Sequence, residues 1–193
     1  MKVFVAGATG VIGRRLVPLL VHSGHAVAGM TRSAEKVELL RQLGALPVVC
    51  DVFDRRPLRD AVVDFCPDAV VSEITDLPDE LEDLEAFRRR NDRIRRDGVR
   101  NLLAAARSAG AAGFLAESIE WQLRGEGGLA VAEMERNVLD AGGVVLRYGR
   151  LYGPGTFYEG RLPDPPRVHV DEAARRTAGL LDAESGVVTI VDA

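Results

Sequence analysis

Three groups of residues are of a type and spacing that can do chemistry. The first is Gly7-Ala8-Thr9-Gly10-Val11-Ile12-Gly13, which follows the apolar run Val3 to Ala6. A glycine-rich turn between a strand and a helix lets backbone approach a diphosphate closely, and the free N–H groups at the helix start point toward it. Such a triplet also serves ordinary tight turns, but its context is specific: a strand precedes it, and Ile12, Leu16, Leu19 and Leu20 return to one helix face behind it. This predicts a dinucleotide site. The second group is Thr31-Arg32-Ser33, at the end of the next strand, where the ribose of a dinucleotide would lie. An acid there would hold the ribose hydroxyls, whereas arginine offers a charged fork for a 2′-phosphate. Arg32 and Ser33 therefore favour NADP over NAD; the alternative is a solvated arginine that starts the next helix. The third group is Glu73 and Glu117, at the ends of the predicted fourth and fifth strands, with Ser118 and Glu120 just beyond. Two carboxylates facing one cleft repel until one stays protonated, which yields an acid and a base together. Glu73 and Glu117, with Ser118, are candidates for proton transfer in a non-redox isomerisation, dehydration or cyclisation. The alternatives are solvated strand ends, or a glutamate paired with an arginine such as Arg147.

The elements that must position these groups alternate in type. Strands are expected at Val3–Ala6, from His25, at Leu46–Cys50, Ala69–Glu73, Phe114–Glu117, Gly143–Arg147 and Val187–Val191. Helices are expected at Val11–Ser23, Ala34–Leu43 (capped by Ser33), Pro57–Phe65, Asp79–Ser108 and Leu129–Ala141, with a last one capped by Asp171. Alternation of this kind predicts βαβ units and an α/β, Rossmann-like, doubly wound parallel sheet of about seven strands in one domain, residues 1–193. Pro18 lies inside the first helix and conflicts locally with it. The long helix carries Arg88, Arg89, Arg90, Arg93, Arg95 and Arg96, but Glu85/Arg89 and Asp92/Arg96 stand at pairing distance. A salt-bridged, solvated face is preferred there over a nucleic-acid stripe. Asn91, on its inner stripe, either touches ligand or hydrogen-bonds in the core.

Composition sets bounds. The chain has 193 residues, 47% hydrophobic and 28% charged, with a formal net charge of −4, which argues against general nucleic-acid binding. No apolar run approaches a membrane span and no signal-peptide pattern is visible. Cys50 and Cys66 lack metal-ligand spacing and read as reduced thiols, so no metal and a cytoplasmic location are expected.

Taken in order, Gly-Ala-Thr-Gly-Val-Ile-Gly at 7–13, Asp51-Val52, Gly98-Val-Arg-Asn-Leu-Leu103, Leu146-Arg-Tyr-Gly-Arg-Leu-Tyr-Gly-Pro-Gly155 and Val168-His-Val-Asp-Glu172 resemble the extended and atypical short-chain dehydrogenase/reductases, specifically the NAD-dependent epimerase/dehydratase family. The resemblance implies that Asp51 and Val52 contact the adenine and that residues 147–154, including Arg147 and Tyr152, line the nicotinamide side. A turn-capping role for Asp51 and a core role for Tyr152 stay open. The family's Tyr-x-x-x-Lys pair is absent. Aligned on Glu135, its tyrosine falls on Gly127 and its lysine on Val131, while Lys2 and Lys36 are the only lysines. Tyr148 stands where the family usually has proline and is expected either to protrude as a substitute proton donor or to pack under the loop. His169 and Trp121 are lesser candidates, for chemistry and for a substrate wall. The family's substrate part is reduced to residues 156–167, which implies a shallow pocket or one completed by another subunit.

Three functions follow. The first is an NADP-binding epimerase/dehydratase-type enzyme acting on a small organic substrate with non-standard proton-transfer residues. The second is a cofactor-independent isomerase, dehydratase or cyclase using Glu73 and Glu117. The third is a non-catalytic NADP(H)-sensing regulator. Membrane and nucleic-acid partners are not expected. A homodimer through the two long helices is.

Overall fold

The computed structural model describes residues 1–78 and 80–192. Seven parallel strands form one sheet: β1 (Lys2–Ala6), β2 (Ala26–Thr31), β3 (Leu46–Val49), β4 (Ala69–Ser72), β5 (Gly113–Ile119), β6 (Val144–Tyr148) and β9 (Gly186–Ile190), in the order β3-β2-β1-β4-β5-β6-β9. Two short strands, β7 (Arg150–Tyr152) and β8 (Arg167–His169), pair separately beside it. The order reverses between β1 and β4, and ligands of doubly wound sheets bind at such a switch point, beyond the strands' carboxyl ends.

Helices cover both faces, so successive residues of β1 after Lys2, and all of β4, are buried rather than alternating with exposed ones. On one face α1 (Gly13–His22), α2 (Val37–Gln42) and α7 (Val170–Ala178) bury Leu16, Leu20, Leu40 and Ala173 against the sheet. On the other, α3 (Arg55–Phe65), α5 (Val99–Ser108) and α6 (Gly125–Asp140) contribute Leu58, Val62, Leu102, Met134 and Val138. Among the described residues no helix is long and apolar enough to cross a membrane.

Helix α1 runs through Pro18 as expected, because tertiary packing of the apolar stripe outweighs one lost hydrogen bond. Several other local expectations are corrected. Ser33 gives no side-chain cap, and a 3-10 turn, Ala34–Lys36, precedes α2. Asp171 is not the cap of α7; the His169 ring accepts from the Asp171 N–H at 3.3 Å. Helix α6 starts at Gly125, four residues before the expected Leu129, because Gly128 packs its first turn against the Leu123 backbone with no room for a side chain. The expected long helix is three consecutive pieces, α4 (Leu84–Arg93), a π-helical turn at Ile94–Gly98 and α5, preceded by a 3-10 turn at Leu81–Asp83. Its predicted start, Asp79, lies outside the described residues.

Candidate functional site

A cleft of about 1340 Å³ runs along the carboxyl ends of the sheet, from the glycine turn past β4 to β5 and the 155–161 loop. Its volume exceeds the few hundred to about 1,000 Å³ of a single small-molecule pocket. At one end the three glycines have distinct tasks. Gly7 has φ +82° and lies so close to the Glu73 carbonyl that a Cβ would overlap it. A Cβ on Gly13 would overlap the Gly7 carbonyl, so this residue lets α1 cross the turn. A Cβ on Gly10 would instead stand in the cleft, 3.2 Å from the Gly7 oxygen. That open backbone, beside a helix start with no side-chain cap, fits the diphosphate of a dinucleotide. Thr9 and Val11 line the same wall, whereas Ile12 and Gly13 are buried beneath it rather than facing a ligand. Arg14, which sequence reasoning did not single out, lines the cleft beside Gly155.

Where β2 ends, the cleft wall combines Arg32, Ser33 and Lys36. Arg32 is half exposed and touches Asp76 at 3.4 Å, while Asp76 is held by two hydrogen bonds from Arg90, each 3.1 Å. Asn91 accepts from the Asp76 N–H at 3.1 Å, so its part is structural. Val52 forms a buried wall of the cleft, and its carbonyl accepts from Asn101. Asp51 is set back from the main cleft. It accepts from the Phe53 N–H at 2.9 Å, a turn-capping contact, and lines a side cavity of about 230 Å³ with Arg32, Phe53, Asp76, Arg90 and Arg93.

At the other end Glu73, just past the end of β4, and Glu117 line the same wall, although Glu117 lies within β5, which runs on to Ile119, and not at the strand end where it was expected. Burial pushes Glu73 well above the ordinary carboxylate range, and the charge of Glu117 pushes it further. Tyr148 does not protrude. Its hydroxyl is buried, 2.9 Å from Glu73 Oε1 and 2.6 Å from Thr177 Oγ1, which in turn lies 2.9 Å from the Ala173 carbonyl. These three contacts need three protons, and the Tyr148 and Thr177 hydroxyls supply two. A proton on Glu73 completes the chain, in agreement with its raised pKa. Burial raises the Tyr148 phenol well above its ordinary value. Glu117 is less enclosed; burial raises it to about 7 against the opposing charge of Arg95.

Ser118, Arg147 and Tyr152 are placed elsewhere than expected. Ser118 reaches the cleft wall but donates to Glu135 Oε1 at 2.6 Å. Arg147 pairs with Glu135 through two hydrogen bonds of 2.9 and 2.6 Å and not with either cleft glutamate, because its β6 position points it toward α6. Burial alone would raise Glu135, but the bonds from Arg147 and Ser118 hold it below its ordinary value. Tyr152 packs edge-on against His169 with ring centroids 5.2 Å apart, and its hydrogen bond to Asp192 raises the phenol. It lies outside the cleft, as does His169. Trp121 does line the cleft, with the Arg150 guanidinium 5.3 Å from its ring. The expected pairs on the long helix are also exchanged: Arg88 pairs with Glu85, Arg95 approaches Asp92, and Arg96 crosses to Glu126 on α6.

Comparison with known proteins agrees with this geometry. A family model described as NAD(P)H-binding matches residues 7–138. A 3-diazoavenalumate denitrifying reductase from a Streptomyces species is 33% identical over an alignment of 235 positions, covering 100% of this chain and 76% of that protein. Among solved structures, the UDP-glucose 4-epimerase of Thermotoga maritima aligns with a TM-score of 0.80 at 18% identity, covering 99% of this chain and 77% of that one. The Thermus thermophilus UDP-glucose 4-epimerase, in complex with NAD, aligns at 0.79 and 20%, covering 99% and 78%. At these identities the likeness to the epimerases is one of fold. The sequence match, the seven-stranded sheet and the glycine cradle together show that the chain belongs to the NAD(P)H-binding family, within the extended and atypical short-chain dehydrogenase/reductases.

Proposed function

We propose that the chain is an NADPH-dependent reductase of a small organic electrophile in which Glu117 handles the proton. The observation that carries this reading is the continuity of one cleft from the open backbone at Gly10 to Glu117, whose pKa of about 7 suits proton transfer in either direction. Arg32, Ser33 and Lys36 on the ribose wall support NADPH over NADH. Gly127 and Val131 stand where the family's proton-donating pair would be, so a substrate that needs no proton on a carbonyl oxygen fits best. The name of the Streptomyces relative points to one class, a diazo compound reduced with loss of nitrogen. When bound, the cofactor supplies a hydride, which adds to the outer nitrogen of an aryl diazonium ion and leaves a neutral aryldiazene. Glu117, as carboxylate, takes the N–H proton; the C–N bond breaks, dinitrogen leaves, and the ring carbon takes the proton back. Diazonium ion and NADPH thus give arene, dinitrogen and NADP⁺. Glu73, held neutral on Tyr148, keeps a second negative charge away from Glu117.

The test is NADPH oxidation and dinitrogen release with 4-carboxybenzenediazonium, beside a panel of ketones and aldehydes. One dinitrogen per NADPH is expected, with turnover lowered about 100-fold or more in Glu117→Gln. Reduction of the ketones alone would remove the diazo class, and unchanged turnover in Glu117→Gln would remove its role. The proximity of Glu73 and Glu117 favours, as a second reading, a cofactor-independent isomerase, dehydratase or cyclase, which would turn over without NADPH. A homodimer through α4–α5 and α6 belongs to the same proposal, supported by the exposure of Leu129 on α6; light scattering checks it.

A further inference from the structure

The arginine run of the long helix is not uniform. Arg88, Arg93 and Arg100 have side chains more than half exposed and pair with acids on their own helical stretch. Arg95 is different. Its side chain is 11% exposed, and it lines the cleft. It sits in the π-helical turn Ile94–Gly98, whose wider winding shifts the register of side chains relative to α4; such turns are frequent at functional sites. Among the described residues its contact with a carboxylate within 4 Å is Asp92, at 3.6 Å. That is too long for a hydrogen bond, and the buried Asp92 Oδ1 has no hydrogen-bond partner. A guanidinium carries five donors in a planar fork. This one is largely removed from water, loosely paired and directed at the cleft.

We infer that Arg95 is the receptor for a substrate carboxylate, so that the cleft takes a small organic acid whose body lies toward Trp121. A carboxylate matches the fork with two parallel N–H···O bonds. Against the one positive charge stands Asp92 at 3.6 Å, so a monoanion is opposed less than a phosphate dianion. The inference rests on the reading of the cleft as a cofactor and substrate site, but it predicts a separate observable.

The experiment is calorimetric titration of the NADP⁺-loaded protein with benzoate, benzamide and phenyl phosphate. Benzoate is expected to bind about tenfold or more tightly than benzamide or phenyl phosphate. Arg95→Met removes the preference over benzamide, and Arg95→Lys, which keeps the charge but loses the fork, weakens benzoate several-fold while leaving benzamide unchanged. Asp92→Asn, which removes the competing acid, tightens benzoate. Equal affinity for benzoate and benzamide in the wild type overturns the inference, as does benzoate binding unchanged in Arg95→Lys. Phenyl phosphate binding as tightly as benzoate overturns the carboxylate assignment. A thermal melt establishes that each variant folds; if Arg95→Met does not, Arg95→Lys decides. If NADP⁺ fails to bind, the cofactor reading falls, and the same comparison on the protein alone still tests Arg95.

Discussion

At the Gly7–Gly13 end the wall of the cleft is backbone; at the Glu117 end it is a network of side chains. Gly7 and Gly13 are held by contacts with main-chain atoms, which no neighbouring rotamer change can relieve. Glu73, Tyr148 and Thr177, and separately Ser118, Glu135 and Arg147, are held by hydrogen bonds between side chains. The two constructions differ in what can be exchanged. A backbone cradle binds any dinucleotide diphosphate and tolerates almost no substitution. A side-chain network can lose its tyrosine and lysine and be rebuilt around carboxylates while the sheet beneath stays the same. On the function proposed here, the binding half reports ancestry and the chemistry is set by the other half.

The largest expected effect is at the rigid end. Gly7→Ala combines a positive φ with overlap at the Glu73 carbonyl and should cost about 3 kcal/mol in urea unfolding. Gly10→Ala should change stability by less than about 1 kcal/mol, yet abolish NADPH binding, because its Cβ enters the cleft. Similar stability losses in both variants would erase the distinction between the two glycines.

Next is Glu135→Gln, which leaves Arg147 without its carboxylate and should cost about 2 kcal/mol. The folded-state pKa of Glu135 is lowered, so its contribution is present above the ordinary carboxylate value and is lost as pH falls through the folded value. The variant should therefore lose part of the wild type's acid sensitivity, which denaturant melts below pH 4.5 would reveal.

Glu117 has the opposite sign. Its folded pKa is raised from 4.5 to about 7, so stability is lost as pH rises across that window. Glu117→Gln should flatten that stretch of the stability profile and gain on the wild type at pH 8; an unchanged slope would contradict the burial assigned to this carboxylate. The smallest effect is His169→Ala. Loss of the N-cap of α7 should cost about 1 kcal/mol, without changing NADPH affinity, since the ring lies outside the cleft.

The sequence exposed these two halves unequally. The alternation of strands and helices, the glycine turn and the place of Glu73 at the end of β4 were legible because each depends on local pattern: apolar runs, glycine punctuation and turn signals. The partners of Arg147 and Tyr148 were not, since Glu135 and Thr177 reach them only through the packing of α6 and α7. Arg95 was hidden for a different reason. A regular α-helical register leaves the whole arginine run as one charged surface stripe, and the π-helical turn that directs Arg95 inward has no sequence mark. The early start of α6 was missed because glycines at 125, 127 and 128 read locally as loop, whereas Gly128 lies in the helix so close to the Leu123 carbonyl that no side chain fits there.

The backbone half is expected to bind its dinucleotide, with the 2′-phosphate at Arg32, although the catalytic pair of the family is absent from the other half. Calorimetric titration of the wild type and Arg32→Ala with NADPH and NADH tests it most directly. NADPH is expected to bind about tenfold or more tightly than NADH, a preference erased by Arg32→Ala. Failure of the wild type to bind either nucleotide would contradict it.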